Sequence, residues 1–225
     1  KSIEFLRIKG ISKANKKMER VAADGLVSIS DKENNFSIVE VNSETDFVAK
    51  NKDFINFCKE TSEINFIVKG NLENLLKSKM KNNITVEENI VTLISKIGEK
   101  ITIRRTNFFD KKDEKNFFYV HTAIEKNIGK IISVVKIEGL SDEKNINLGN
   151  KLAMHITASS PLAIENSGID KTIIEKENEI IKAELINSGK KGDMIEKISK
   201  GKLNKFVSDN TLLSQAWIMD PKKRF

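Results

Sequence analysis

Residues Glu40 to Lys50 read Glu-Val-Asn-Ser-Glu-Thr-Asp-Phe-Val-Ala-Lys. An acid, Asp46, sits beside a large apolar ring, Phe47, between a strand-like stretch and a helical one. The run has no catalytic spacing, no glycine-rich cradle and no metal-ligand pattern. A chain reversal carrying an acid and a ring can instead present side chains to a partner. By local pattern alone, Phe47 reads as an ordinary core residue and Asp46 as a helix cap.

The rest of the chain supplies little reactive chemistry. There are two histidines, His121 and His155, and one cysteine, Cys58. A zinc site needs more such ligands than this. No Gly-x-Ser-x-Gly elbow and no Gly-x-x-x-x-Gly-Lys-Ser/Thr loop occurs. Gly189-Lys190-Lys191-Gly192 lacks the hydroxyl residue that would bind magnesium and reads as a helix-ending turn. Glu87 and Glu88 fall in a helix's first turn, where they favour the macrodipole. We therefore expect no covalent catalysis, no cofactor and no bound metal. His121 reads as a strand histidine satisfied by a neighbour, and His155 as a structural histidine on a helix. Cys58 lies on an apolar helix face and reads as a buried, inert thiol.

The elements that must hold these residues follow from periodicity. Leu26 to Ser30 and Phe36 to Val41 read as strands joined by a polar turn, Asp31 to Asn35. Phe54, Phe57, Cys58 and Thr61 share one helix face at i, i+3, i+4 and i+7. Thr85 and Glu88 have capping-box spacing before Ile90, Leu93, Ile94 and Ile97, and Gly98 closes that helix. Ile101 to Phe109 alternates as a strand. Phe117–Ile124 and Ile131–Ile137 form two more. Asp142 can cap a helix with Leu148, Leu152 and Ile156 inward. Ile174, Ile181 and Leu185 stripe the next helix. Met194, Ile195 and Ile198 begin another, interrupted at Gly201.

Strands cluster with helices without long βαβ alternation. The expected fold is α+β, with two subdomains, each a small antiparallel sheet packed with helices, preceded by the remnant of a small helical module. The expected division is 1–25 for that remnant and its linker, 26–112 for the first subdomain and 113–225 for the second. The chain opens on Lys1, not methionine, and is read as a fragment.

The 225 residues, 39% hydrophobic and 32% charged, fit a globular protein. No apolar run approaches the ~20 residues that span a bilayer, and no signal-like segment opens the chain. We expect a cytoplasmic location and no membrane partner. The net charge of +7 comes mostly from lysine; the arginines are Arg7, Arg20, Arg104, Arg105 and Arg224. Arginine is the usual reader of bases and phosphates. This balance points to an acidic protein surface and away from direct nucleic-acid binding. Nothing in the pattern specifies an oligomeric state.

The 40–50 run resembles the signature of the bacterial elongation factor Ts family. Arg20 to Gly25, before it, resembles the family's linker, and later segments resemble that family in the same order: Lys96 to Ile101 with Arg104-Arg105, Tyr119-Val120-His121, Gly129-Lys130-Ile131, Leu152 to Ile156 with Pro161, Ser188-Gly189-Lys190, and Gly201 to Phe206. The resemblance implies a guanine-nucleotide exchange factor for the GTPase elongation factor Tu. It implies that Phe47 wedges between helices of the GTPase while Asp46 disturbs the surroundings of its magnesium ion. Thr45 and Val48 would frame that pair. Ile97 would touch the same domain, and His121 would press near the phosphate-binding loop. It also implies that only the last helix and linker of an N-terminal module stand at 1–25, and that a final helix and strand follow Pro221 in the family. Two rivals remain from the residues alone: a lysine-rich RNA-binding module in translation, and an enzyme of unknown type. The absence of aromatic base-stacking platforms counts against the first. The lack of paired nucleophiles and bases counts against the second.

Overall fold

The computed structural model describes residues 17, 19–111, 114–139 and 143–224. Most of the expected helical remnant at 1–25, and the expected cap Asp142, lie outside the described residues.

Five strands form one antiparallel sheet: β1 (Asp24–Lys32), β2 (Asn35–Ser43), β3 (Ile101–Phe109), β4 (Glu114–Glu125) and β5 (Ile128–Glu138), in the order β3-β2-β1-β5-β4. The two-residue turn between β1 and β2 places Glu33 at φ 52° and Asn34 at φ 64°. Both positive angles make it a type I′ turn, whose twist matches that of the flanking strands. The fold is α+β and antiparallel, as the residue pattern implies. The sheet differs from the expected pair of small sheets. β1 and β5 join the two sets of strands through Val27 opposite Gly129 and Ser28 opposite Ile128. On its other side Gly129 lets β4 approach closely, because a Cβ there would stand 2.7 Å from the carbonyl oxygen of His121. The chain groups into two compact units, through Asn150 and from Lys151, so the β4–β5 hairpin falls with the first three strands.

In the first unit, three helices accompany the sheet: α1 (Lys52–Ile67), α2 (Leu72–Lys77) and α3 (Val86–Ile97). Phe54, Phe57, Cys58 and Thr61 are all buried on one face of α1, as their spacing implies. They join a core with Leu26, Val39, Val41, Leu93, Ile94, Ile101 and Ile103. Burying each large aliphatic or aromatic side chain there contributes about 1.5–3 kcal/mol. Polar side chains set how α1 sits on the strands. Ser28 Oγ donates to the Cys58 carbonyl at 2.7 Å, and Ser37 Oγ to the Ser62 carbonyl at 3.1 Å. Asn65 Nδ2 reaches Ser37 Oγ at 2.8 Å and the carbonyls of Ile38 and Asn107 at 3.2 Å. Such buried groups are costly unless bonded, so these contacts disfavour a slipped helix. They also fix the start of α1, which the 40–50 run leads into.

The second unit begins within α4 (Glu143–Ser159) and contains α5 (Lys171–Asn187) and α6 (Asp193–Asp209). On α4, Gly149, Ala153 and His155 are buried, and Leu148, grouped inward by the pattern, is exposed. Ile181 and Leu185 are buried on α5. Helix α6 runs unbroken through Gly201, where the sequence suggests an interruption. A mid-helix glycine costs about 1 kcal/mol against alanine but does not end a helix. Gln215 ties the tail of this unit to α4 and α6. Its amide donates to the carbonyls of Ser159 and Asp209, and its Oε1 lies 3.0 Å from His155 Nε2.

Candidate functional site at the end of strand β2

The chain leaves β2 at Ser43 and turns through residues 44–47 into a single 3-10 turn, Val48–Lys50, before α1. The alternation of side chains through this turn decides what faces water. Val48 and Ala49 are 3% and 1% exposed and enter the core. Phe47, immediately before them, is 74% exposed. Thr45 and Asp46 are exposed as well. Burial of the apolar pair Val48-Ala49 therefore anchors one side of the turn and leaves the ring of Phe47 outside. The local expectation of a core phenylalanine fails here, because the turn sends Val48 and Ala49, not Phe47, into the core.

Backbone bonds hold the turn rigidly. The Ala49 amide donates to the Asp46 carbonyl at 3.2 Å, Lys50 to Phe47 at 3.1 Å and Asn51 to Val48 at 2.9 Å. Phe47 itself has ordinary right-handed backbone angles, φ −62° and ψ −35°. The expectation that Asp46 caps a helix is corrected. The 3-10 turn has no side-chain cap, and the cap of α1 is Asn51. Asn51 Oδ1 accepts from the amides of Asp53 at 2.9 Å and Phe54 at 3.3 Å. The Asp46 carboxylate is thus not consumed by the helix behind it.

The other side of the turn is gripped by the loop between α3 and β3. The capping box anticipated for α3 is present, with Thr85 Oγ1 accepting from the Glu88 amide and the Glu88 carboxylate accepting from the Thr85 amide. Gly98 ends the helix at φ 88°, a conformation glycine adopts without penalty. The chain emerging from Gly98 then meets residues 44 and 45. Glu99 accepts from the Thr45 amide at 2.9 Å and from the Thr45 hydroxyl at 2.6 Å. Glu44 accepts from the Lys100 amide at 2.6 Å and pairs with the Arg20 guanidinium at 3.2 Å. The Lys100 ammonium in turn donates to the Arg20 carbonyl at 2.9 Å. The Lys100 amide, followed by Arg20, holds the Glu44 carboxyl below the usual glutamate range. Ser43 Oγ completes the brace by donating to the Thr45 carbonyl at 2.9 Å.

The sequence-derived site residues do not all gather at one point. Thr45, Asp46, Phe47 and Val48 form the turn itself, with Val48 as its buried anchor. Ile97 is half-buried at the end of α3 and packs against the core, two residues before the Glu99 grip. His121 is exposed on β4, opposite Ile131 of β5, with its Nδ1 3.4 Å from the Tyr119 hydroxyl. Strands β2 and β4 are separated by three inter-strand steps in the sheet order, about 14 Å at ordinary spacing. Glu44, Glu99 and Asn51 are the residues that sequence reasoning missed. Their roles depend on contacts across 54 to 56 residues of chain, or on which asparagine begins the helix.

This constellation has no arrangement for bond making. Cys58 is buried and its thiol is pushed above the ordinary range by desolvation, so it is not a nucleophile. Among the described residues, no three His, Cys, Asp or Glu side chains gather where a metal ion could sit. No helix among them is long and apolar enough to cross a membrane. The turn can do something else: offer an exposed acid and an exposed ring, on a rigid mount, to another molecule.

Comparison with known proteins gives the same region a context. The family model described as elongation factor TS matches residues 44–225. A protein of Nitrobacter hamburgensis named elongation factor Ts is 39% identical over 224 residues, covering 99% of this chain and 72% of that protein. Those of Parvibaculum lavamentivorans and Methylorubrum populi, with the same name, are 36% and 38% identical and are likewise covered over 72% of their length.

Proposed function

The chain belongs to the elongation factor Ts family, and from that premise we propose that it is a guanine-nucleotide exchange factor that binds elongation factor Tu and promotes release of GDP. One observation carries the reading: Phe47 is 74% exposed on a turn that is pinned from both sides. A large ring in water on a rigid mount is poorly placed for folding and well placed for insertion into a partner.

In this reading, Phe47 enters between helices of the GTPase's nucleotide-binding domain, and Asp46 disturbs the surroundings of its magnesium ion. Magnesium demands a near-ideal octahedron of oxygens, so a small displacement weakens it. Nucleotide phosphates then lose their main neutralising charge. Thr45 positions the pair, and Val48 holds the turn in its own core. Ile97 and His121 would add contacts flanking the main one. Residues 26–112, with His121, would face the nucleotide-binding domain, and the Leu203–Phe206 region with the helices before it another domain of the GTPase. Protein biosynthesis in the cytoplasm is the setting this activity requires.

The magnitudes require cooperation. Accelerating release by ~10⁴ needs about 5.5 kcal/mol of barrier reduction. Burying one phenylalanine is worth ~1.5–3 kcal/mol, so the ring acts with its acidic neighbour and the flanking contacts. The coupling is reciprocal: by whatever factor this chain weakens GDP binding, GDP weakens binding of this chain. The test is stopped-flow release of a fluorescent GDP analogue from the cognate elongation factor Tu. Release that accelerates with chain concentration and saturates supports the proposal. Release that stays at the intrinsic rate at high chain concentration rejects it.

A further inference from the structure

We propose that Glu99 is a positioning residue for exchange, acting through Thr45 to hold the Asp46–Phe47 tip in the conformation that enters the partner. The inference rests on the reading of Phe47 given above. Its own basis is the way residues 99 and 100 grip residues 45 and 44. Both Glu99 carboxylate oxygens are used, one on the Thr45 amide at 2.9 Å and one on the Thr45 hydroxyl at 2.6 Å. One residue on from Glu99 and one back from Thr45, the Glu44 carboxylate takes the Lys100 amide at 2.6 Å. The two loops therefore exchange carboxylate-to-amide bonds in both directions. Bonds to an ionised acceptor are the stronger kind.

The placement of this grip argues for positioning more than for folding. Thr45 is exposed, so its amide and hydroxyl could bond to water in an unfolded or loosened chain. Removing Glu99 leaves no buried group unsatisfied at Thr45 and takes nothing from the core. It does loosen the outer limb at Thr45, which keeps only the Ser43 bond to its carbonyl, while the inner limb stays anchored by Val48 and Ala49. Residues 45–47 would then have to be ordered as the ring inserts, a cost that falls on the rate of exchange. Gly98 contributes by sending the chain out of α3 at φ 88°, which aims residue 99 toward the turn.

The test measures GDP release from elongation factor Tu for wild type, Glu99→Ala, Glu99→Gln, Phe47→Ala and the Glu99→Ala/Phe47→Ala double variant. Glu99→Ala should lower the maximal rate at least roughly tenfold, since it removes two charge-assisted hydrogen bonds and one alone is worth about that. The chain concentration giving half the maximal rate should change less than about twofold, since the remaining contacts persist. Glu99→Gln keeps an oxygen for the Thr45 amide and should retain more activity than Glu99→Ala. On the Phe47→Ala background, Glu99→Ala should cost clearly less than it does in wild type, because the part of its effect that passes through the ring is already gone and only the part through Asp46 remains. Full activity of Glu99→Ala overturns the inference, as does a loss that simply multiplies with that of Phe47→Ala. A fall in thermal stability of Glu99→Ala large enough to account for the loss, repeated in Glu99→Gln, assigns Glu99 to folding instead. If Phe47→Ala itself exchanges normally, the reading of the turn fails first and the positioning role with it.

Discussion

Replacing Phe47 with alanine separates a ring used for folding from one used for binding. In the free chain the ring is 74% exposed, so about three-quarters of its transfer free energy is still to be gained. Taking ~1.5–3 kcal/mol for complete burial, insertion into a partner would recover about 1–2 kcal/mol. That corresponds to a loss of roughly 5- to 30-fold in exchange rate for Phe47→Ala, at 1.36 kcal/mol per decade. The folded chain loses almost nothing, because Val48 and Ala49, not Phe47, anchor the turn in the core. The companion variant is Phe54→Ala, seven positions on and 0% exposed. It should destabilise by about 3–5 kcal/mol through the cavity it leaves. Stopped-flow GDP release and thermal unfolding would be run on both proteins. We expect Phe47→Ala to exchange slowly and melt like wild type. A melting temperature for Phe47→Ala that falls as far as that of Phe54→Ala would show that the ring supports the fold, and the argument from exposure would be refuted.

Three further outcomes follow from the geometry. Asn51→Ala removes the cap of α1 and should cost about 1 kcal/mol in urea unfolding at an unchanged slope; an unchanged midpoint would mean the cap bonds have no net worth. The Glu44 carboxyl is held low by the Lys100 amide and Arg20, so its contribution to stability is complete above the ordinary glutamate range. That contribution fades as pH falls from about 4.3 through its lowered folded value. The difference in melting temperature between wild type and Glu44→Gln should therefore shrink on acidification, and a gap that widens at low pH would contradict the sign. Cys58 is fully buried with its thiol pushed upward, so a thiol reagent should react only as fast as the chain unfolds; rapid labelling of the native protein would contradict that burial.

Much of the fold was legible because local rules and tertiary demands agree. Strand β3 lies at the residues its alternation marks, with Ile101 and Ile103 inward. Thr85, Glu88 and Gly98 bound α3 as capping chemistry requires. The buried face of α1 was readable from four residues at helical spacing. The joining of β1 to β5 was not, because it rests on two residue pairs whose side chains carry no pairing signal. At the site, composition misled: a phenylalanine beside valine and alanine looks like core, and only the backbone turn separates Phe47 from Val48. The acidic grips were hidden for a different reason. Glu44 and Glu99 look like ordinary solvated charges until the sheet brings β2 and β3 side by side and places their loops in register. The family resemblance singled out Asp46 and Phe47 where periodicity did not.

The proposed exchange activity depends on the ring at position 47 entering the GTPase. A photoreactive phenylalanine analogue installed there, in the intact chain mixed with elongation factor Tu, reads this directly. The predicted result is a cross-link to the nucleotide-binding domain of elongation factor Tu that fades as GDP is raised, as reciprocal coupling demands. A cross-link confined to the chain itself, or one indifferent to GDP, would contradict it.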